Sequence, residues 1–220
     1  MYTACGAVLA LLALLATIDG DLRAAFLWLI AATAVDATDG VLARLARVKE
    51  RTPRFDGARL DDIVDYLTYV FVPVVIMLRA ELFPDLLSLS IAVVVLLASG
   101  FGFSQADAKT EDHFFTGFPS YWNIVAFYLV AGGLAPWANA AIVAALAALV
   151  FVPVGYIYPS RTPAFRPVTI AAGLVWGALV IWLAWRLPAV SGGWLLASLA
   201  YPLYYVGASL WLQPRRPRHV

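Results

Sequence analysis

Long apolar runs dominate the chain, and short polar segments separate them. Runs close to the roughly 20 residues that span a bilayer lie at 4–18, 22–45, 58–78, 82–103, 120–136, 138–156, 167–185 and 192–212. The first run is short, but it passes through Asp19-Gly20-Asp21 straight into the second, which favours a helical hairpin over a cleaved leader. The pattern predicts about eight transmembrane helices in one integral membrane domain, residues 1–220.

Composition excludes an ordinary soluble domain. Hydrophobic residues make up 63% of the chain and charged residues 13%, against roughly 45–50% and about 25% in soluble domains. A single cysteine, Cys5, excludes an internal disulfide and a cysteine-based metal site. We therefore predict an all-α fold, a polytopic bundle surrounded by membrane lipids, with no nucleic-acid partner.

The basic residues indicate which side of the membrane each loop faces. With eight spans both termini lie on one side, and twelve of the fifteen Lys and Arg residues fall there, against Arg23, Arg79 and Arg186 on the other. The positive-inside rule makes the richer side, and both termini, cytoplasmic. The twelve are Arg44, Arg47, Lys49, Arg51, Arg54, Arg59, Lys109, Arg161, Arg166, Arg215, Arg216 and Arg218.

Four aspartates lie where a bilayer disfavours charge. Asp36 and Asp39 come late in the second run, and Asp61 and Asp65 come early in the third. A charged side chain at the centre of a membrane helix costs about 2.5–3.5 kcal/mol on insertion scales. Because residues three and four apart share a helix face, and the two helices are antiparallel neighbours, we expect the four carboxylates to face one another at the cytoplasmic end.

Carboxylates in this number suit two hard cations such as Mg²⁺ or Mn²⁺, which can clamp a phosphoryl displacement. Small residues on the same two faces, Gly40, Ala43 and Gly57, leave room for a nucleotide diphosphate, and the fork of Arg44 suits phosphate oxygens. An alternative is helix capping, which is reasonable for Asp61 and Asp62 in the expected first turn of the third span. It fails for Asp36 and Asp39, which lie at the opposite end of the helix dipole.

These eight positions resemble the signature of the CDP-alcohol phosphatidyltransferase family, D-x2-D-G-x2-A-R followed by G-x3-D-x3-D. The resemblance implies a six-helix core, often in a homodimer, that transfers a phosphatidyl group from CDP-diacylglycerol to an alcohol and releases CMP. It also implies roles for these residues. The four aspartates, Asp36, Asp39, Asp61 and Asp65, would hold two Mn²⁺ or Mg²⁺ ions, with Asp65 also the general base; Gly40, Ala43, Arg44 and Gly57 would line the CDP site.

Three further features resemble the bacterial phosphatidylcholine synthases, an eight-span subgroup of that family. They are the twelve-residue spacer Leu45–Asp56 and the segments 114–123 and 3–8. The subgroup resemblance implies choline as the acceptor and the bacterial inner membrane as the location.

Aromatic faces commonly hold quaternary ammonium groups, so Tyr121 and Trp122 are candidates to contact choline, although both could simply anchor a helix at the interface. Glu111 and Asp112 could instead supply a counter-charge. Asn123, polar within an apolar run, makes either an interhelical hydrogen bond or a substrate contact.

Two other functions remain open. Another acceptor, such as serine, an inositol phosphate or glycerol phosphate, would use the same chemistry, and the basic loop before Gly57 could bind a phosphorylated one. A cation transporter also places carboxylates in membrane helices, but typically near the midplane and on broken helices. The position of the aspartates at the cytoplasmic edge favours the transferase.

Overall fold

The computed structural model describes residues 1–52, 54–106, 108, 110, 112–159 and 161–213 as a bundle of helices with one small sheet. Each of the eight predicted spans contains a helix or consecutive helices, which confirms the all-α membrane fold. The helices are α1 (Cys5–Ile18), α2 (Leu22–Leu45), α3 (Val48–Arg51), α4 (Gly57–Asp65), α5 (Val72–Arg79), α6 (Asp85–Ser104), α7 (Trp122–Gly132), α8 (Pro136–Leu149), α9 (Arg166–Trp185), α10 (Gly192–Ser198) and α11 (Ala200–Leu212), with a π-helical segment, Tyr66–Phe71, between α4 and α5.

Within the described part of the chain, four helical segments are long and apolar enough to cross a membrane: α2, α6, α9 and the α10–α11 pair. Helices α1, α7 and α8 are apolar but shorter. The outward faces are apolar as well: on α6, Leu86 is 88% exposed, Leu89 71% and Leu97 70%. Such a face is unfavourable in water and favourable against lipid tails.

Helices α1 and α2 form the predicted hairpin. Asp21 caps α2 by accepting a hydrogen bond from the Ala24 N–H at 2.9 Å. The buried residues of α1 are all small and recur at helical spacing: Gly6, Ala10, Ala13 and Thr17. Small side chains let two membrane helices approach closely, so α1 packs tightly within the bundle.

Two predicted spans are longer than the helices that form there. Within 120–136, α7 stops at Gly132 because Gly133 takes the left-handed conformation, with φ of +57°. Within 138–156, α8 ends at Leu149, and the chain goes on into strand β2 (Gly155–Ile157). Strand β2 pairs antiparallel with β1 (Phe114–Thr116). Hydrophobic periodicity cannot distinguish a short buried strand from the end of a buried helix, so the sequence pattern did not predict this sheet.

The third span is a continuous helical rod from Gly57 to Arg79 with a π-helical turn in its middle. Asp56 caps its start by accepting hydrogen bonds from the N–H groups of Ala58 and Arg59 at 3.1 and 3.2 Å. Pro73 has no N–H to donate to the Tyr69 carbonyl, so the α-helical ladder is interrupted where the π-helical turn occurs. Thr68, Tyr69 and Val70 are buried in this turn.

Candidate active site

The four predicted aspartates meet in one cleft between α1, α2 and α4. One carboxylate oxygen from each of Asp36, Asp39 and Asp61 lies within 4.8 Å of the others. Asp65 lines the same cleft without belonging to that group of three. We call this the aspartate cleft; it is lined by Thr3, Gly6, Ala32, Val35, Asp36, Asp39, Asp61, Val64, Asp65 and Thr68.

The capping alternative for Asp61 and Asp62 is wrong. Because α4 begins at Gly57, its first turn contains no acidic residue, and Asp61 lies in the second turn. Asp56 is the cap, and its Oδ2 also forms an ion pair with Nε of Arg59 at 3.2 Å. Sequence reasoning overlooked Asp56, although aspartate directly before a helix is a common cap.

The start of α1 forms one wall of the aspartate cleft. A Cβ at Gly6 would lie 2.5 Å from Cγ1 of Val64, so only glycine permits this approach of α1 to α4. Thr3 lies beside it in the wall, and the Tyr2 hydroxyl hydrogen-bonds to that of Thr38 on α2 at 2.9 Å. The segment 3–8, singled out only by resemblance, thus contributes directly to the site.

The four candidate nucleotide contacts lie at open positions on the same two helices. Ala43, Arg44 and Gly57 are exposed and Gly40 is partly buried. A Cβ at Gly57 would have nothing within 4 Å, whereas at Gly40 it would lie 3.4 Å from Nη1 of Arg44. An added Cβ at position 40 would therefore be in ordinary van der Waals contact with the guanidinium.

The segment that joins α2 to α4 carries exposed arginines: Arg47, Arg51 and Arg54. The pair of Arg59 with Asp56 is exposed as well, and such pairs contribute about 0–1 kcal/mol. Lys109, Glu111, Arg215, Arg216 and Arg218 lie outside the described residues.

The two aromatic candidates differ sharply in their surroundings. Trp122 is fully buried, and its indole Nε1 donates to Oγ of Ser99 at 2.8 Å. With no exposed surface it packs in the core, so the structure does not place it as a choline contact. Tyr121 is partly exposed, and its ring centroid lies 5.9 Å from that of Tyr69 and 6.3 Å from that of Tyr205.

Tyr121 belongs to what we call the aromatic cluster: Tyr69, Phe115, Tyr121, Tyr158 and Tyr205. Phe115 stacks on Tyr158 with centroids 4.6 Å apart, and the Arg161 guanidinium lies 5.4 Å from the centroid of the Tyr158 ring. The cluster reaches the aspartate cleft through Tyr69, whose hydroxyl donates to Oδ2 of Asp36 at 2.7 Å. Tyr69 follows Asp65 by four residues and so shares its helix face, which makes it one of several aromatic rings expected near the aspartates; the sequence alone does not indicate its bond to Asp36.

Two smaller expectations concern polar side chains near the cluster. Asn123 donates from Nδ2 to Oγ1 of Thr33 at 3.4 Å, so it makes the interhelical bond of the two alternatives. Asp112 accepts a hydrogen bond from the Thr110 hydroxyl within its own loop. That contact gives Asp112 a local structural role.

Comparison with known proteins identifies relatives over nearly the whole chain. No protein-family model matches it. A phosphatidylcholine synthase of Pseudomonas aeruginosa is 42% identical over 217 residues, which cover 97% of this chain and 90% of the relative. One from Brucella melitensis is 33% identical over 97% of this chain and 78% of its own length. One from Mesorhizobium japonicum is 36% identical over 82% and 69%.

The site and the relatives lead to the same assignment. The motif that resembles the CDP-alcohol phosphatidyltransferases brings its four aspartates into one cleft, and the alignment to the Pseudomonas aeruginosa relative covers 97% of this chain. The chain belongs to the phosphatidylcholine synthase family.

Proposed function

We propose that this protein transfers the phosphatidyl group of CDP-diacylglycerol to choline, giving phosphatidylcholine and CMP. The observation that carries the proposal is the aspartate cleft, where oxygens of three carboxylates lie within 4.8 Å of one another at the membrane-embedded motif. Near full-length relatives named phosphatidylcholine synthase support choline over serine, an inositol phosphate or glycerol phosphate.

The side chains of the cleft fit a hard divalent cation. The donor set consists of carboxylates, which suit Mg²⁺ or Mn²⁺. Asp36, Asp39, Asp61 and Asp65 would hold two such ions, which when bound neutralise charge on the pyrophosphate. Gly40, Ala43, Arg44 and Gly57 would line the CDP site, with Arg44 donating to phosphate oxygens.

The chemical step needs a nucleophile, a leaving group and a base. The hydroxyl oxygen of choline attacks the phosphorus that bears diacylglycerol. The bond from that phosphorus to the CMP oxygen breaks, and CMP leaves with the electron pair. Asp65, which lines the cleft beside the group of three, accepts the hydroxyl proton.

We place choline against Tyr121. Its trimethylammonium group is a permanent cation, and an aromatic face attracts it by about 0.5–2 kcal/mol. Tyr121 is partly exposed, and the hydrogen bond of Tyr69 to Asp36 ties its neighbourhood to the aspartate cleft. The aromatic cluster therefore offers π-faces close to where the acceptor hydroxyl must arrive.

The proposal extends to location and assembly. The basic loop between α2 and α4 and the apolar exterior support a protein of the bacterial inner membrane, with the cleft and both termini facing the cytoplasm. A single domain over residues 1–220 and a homodimer remain predictions.

A reconstitution assay tests this function. Purified protein in mixed micelles would receive CDP-diacylglycerol and Mn²⁺ or Mg²⁺, with choline, serine, inositol phosphate or glycerol phosphate as acceptor. We expect CMP release with choline and either metal, and loss of release with EDTA. If CMP were released with a different acceptor and not with choline, choline would be the wrong acceptor. CMP release that persists in EDTA would contradict the metal site.

A further inference from the structure

We propose that Tyr69 is a positioning residue of the metal site, whose hydroxyl fixes the orientation of Asp36. The inference rests on the proposed metal-binding role of the aspartate cleft. The Tyr69 hydroxyl donates to Oδ2 of Asp36 at 2.7 Å, a length typical of a strong O–H···O⁻ bond. The bond joins α2 to the π-helical segment, and the two residues that make it are 33 positions apart in the chain.

Tyr69 is held firmly enough to act in this way. It is buried in the π-helical turn between buried Thr68 and Val70, and its ring packs against Tyr121. A tyrosine has few rotatable bonds, so this packing fixes the hydroxyl. Tyr69 lies outside the set of residues that line the cleft, and therefore acts through Asp36.

Asp36 needs such a partner because three carboxylates converge here. Oxygens of Asp36, Asp39 and Asp61 lie within 4.8 Å of one another, so mutual repulsion of the three charges opposes their convergence. A donor on Oδ2 stabilises the charge of Asp36 and fixes its rotamer, while the remaining lone pairs stay available to a cation. Residues that hydrogen-bond to a metal ligand without binding the metal themselves typically contribute about 10–100-fold to metal affinity.

The test replaces Tyr69 by Phe, which removes one oxygen and keeps the ring against Tyr121. Tyr66→Phe is the matched control, because Tyr66 lies in the same π-helical segment and donates to the Leu96 carbonyl at 2.9 Å, away from the carboxylates. Mn²⁺ affinity of each purified protein, without substrates, would be measured from the electron paramagnetic resonance signal of free Mn²⁺. We expect about 10–100-fold weaker binding for Tyr69→Phe and less than about 2-fold change for Tyr66→Phe.

A double variant separates positioning from general damage to the fold. In an Asp36→Ala background the carboxylate is gone, so adding Tyr69→Phe should not weaken Mn²⁺ binding further and should not lower the melting temperature. The double variant removes both partners of the hydrogen bond, so no carboxylate is left without its donor. A further loss of affinity in that background would overturn the assignment.

The outcomes also separate this inference from the function on which it rests. Wild-type protein that binds no Mn²⁺ contradicts the metal site itself. Wild-type protein that binds Mn²⁺ while Tyr69→Phe binds equally well leaves the metal site intact and refutes the positioning role.

Discussion

Asp65 differs from the other three aspartates in a way that bears on its role. It lines the aspartate cleft, yet the group of carboxylates within 4.8 Å of one another contains Asp36, Asp39 and Asp61. Spacing along the sequence treats all four alike, because each lies one helical turn from its neighbour. A place beside the group suits a residue that also accepts a proton from the substrate.

Replacing Asp65 by Asn should lower CMP release by at least about 100-fold, since a positioned general base contributes about 10²–10⁴-fold. The amide keeps the shape of the side chain, so the melting temperature should stay close to wild type. Asp62→Asn is the control, because Asp62 is the neighbouring carboxylate and does not line the cleft. Substantial residual activity in Asp65→Asn would refute the role.

Tyr121 sets a second prediction at the residue scale. Tyr121→Ala should raise the KM for choline about 10-fold, as expected from the loss of a cation–π contact of about 1–2 kcal/mol, with a smaller change in the KM for CDP-diacylglycerol. Tyr121→Phe keeps the aromatic face and should leave the choline KM near wild type. An unchanged KM in Tyr121→Ala would remove this residue from the choline site.

At the scale of elements, two irregular features bring distant residues to the site. The π-helical turn after Asp65 places Tyr69 against Asp36. Strand β1, paired with β2, holds Phe115 against Tyr121, and Tyr158, directly after β2, stacks on Phe115. Hydrophobic periodicity carries no information about either, because a π-turn and a three-residue strand are too short to alter an apolar pattern. Both depend on contacts between segments far apart in the chain.

Gly117 fixes the loop that follows β1. It has φ of +74°, and its N–H donates to the Val154 carbonyl at 2.9 Å. A Cβ there would collide with the Val150 carbonyl oxygen at the end of α8. Backbone cannot yield as a flexible side chain can, so any other residue forces the loop away from α8.

Gly117→Ala should therefore lower the melting temperature in detergent more than Gly133→Ala does. Gly133 also has positive φ, but an added Cβ would have nothing within 4 Å, so its variant reports only the backbone strain of about 1–2 kcal/mol. Equal shifts in the two variants would show that the contact with α8 contributes nothing.

On the scale of the whole molecule, the exposed surface is largely apolar and the charged loops lie at the ends of the helices. Arg44, Arg51 and Arg54 are exposed at the cytoplasmic end predicted by the positive-inside rule. Asp19 is exposed in the turn between α1 and α2, at the opposite end of the hairpin. This asymmetry makes orientation directly measurable.

Cysteine labelling tests the orientation. In a Cys5→Ser background, Asp19→Cys should react with a membrane-impermeant maleimide in intact bacteria, whereas Arg54→Cys should react only after the inner membrane is opened. The reverse pattern would place the aspartate cleft on the periplasmic side and contradict the proposed cytoplasmic orientation of the cleft.

The sequence by itself determined the membrane class, the approximate position of each helix and the four aspartates of the site. These follow from local quantities: apolar run length, charge and i, i+4 spacing act within one segment. Tertiary structure alone decided that Trp122 is a core residue, that Asp56 rather than Asp61 caps α4, and that Tyr69 bonds to Asp36. Burial and hydrogen-bond partners depend on which helices pack together, and that arrangement is a property of the assembled bundle.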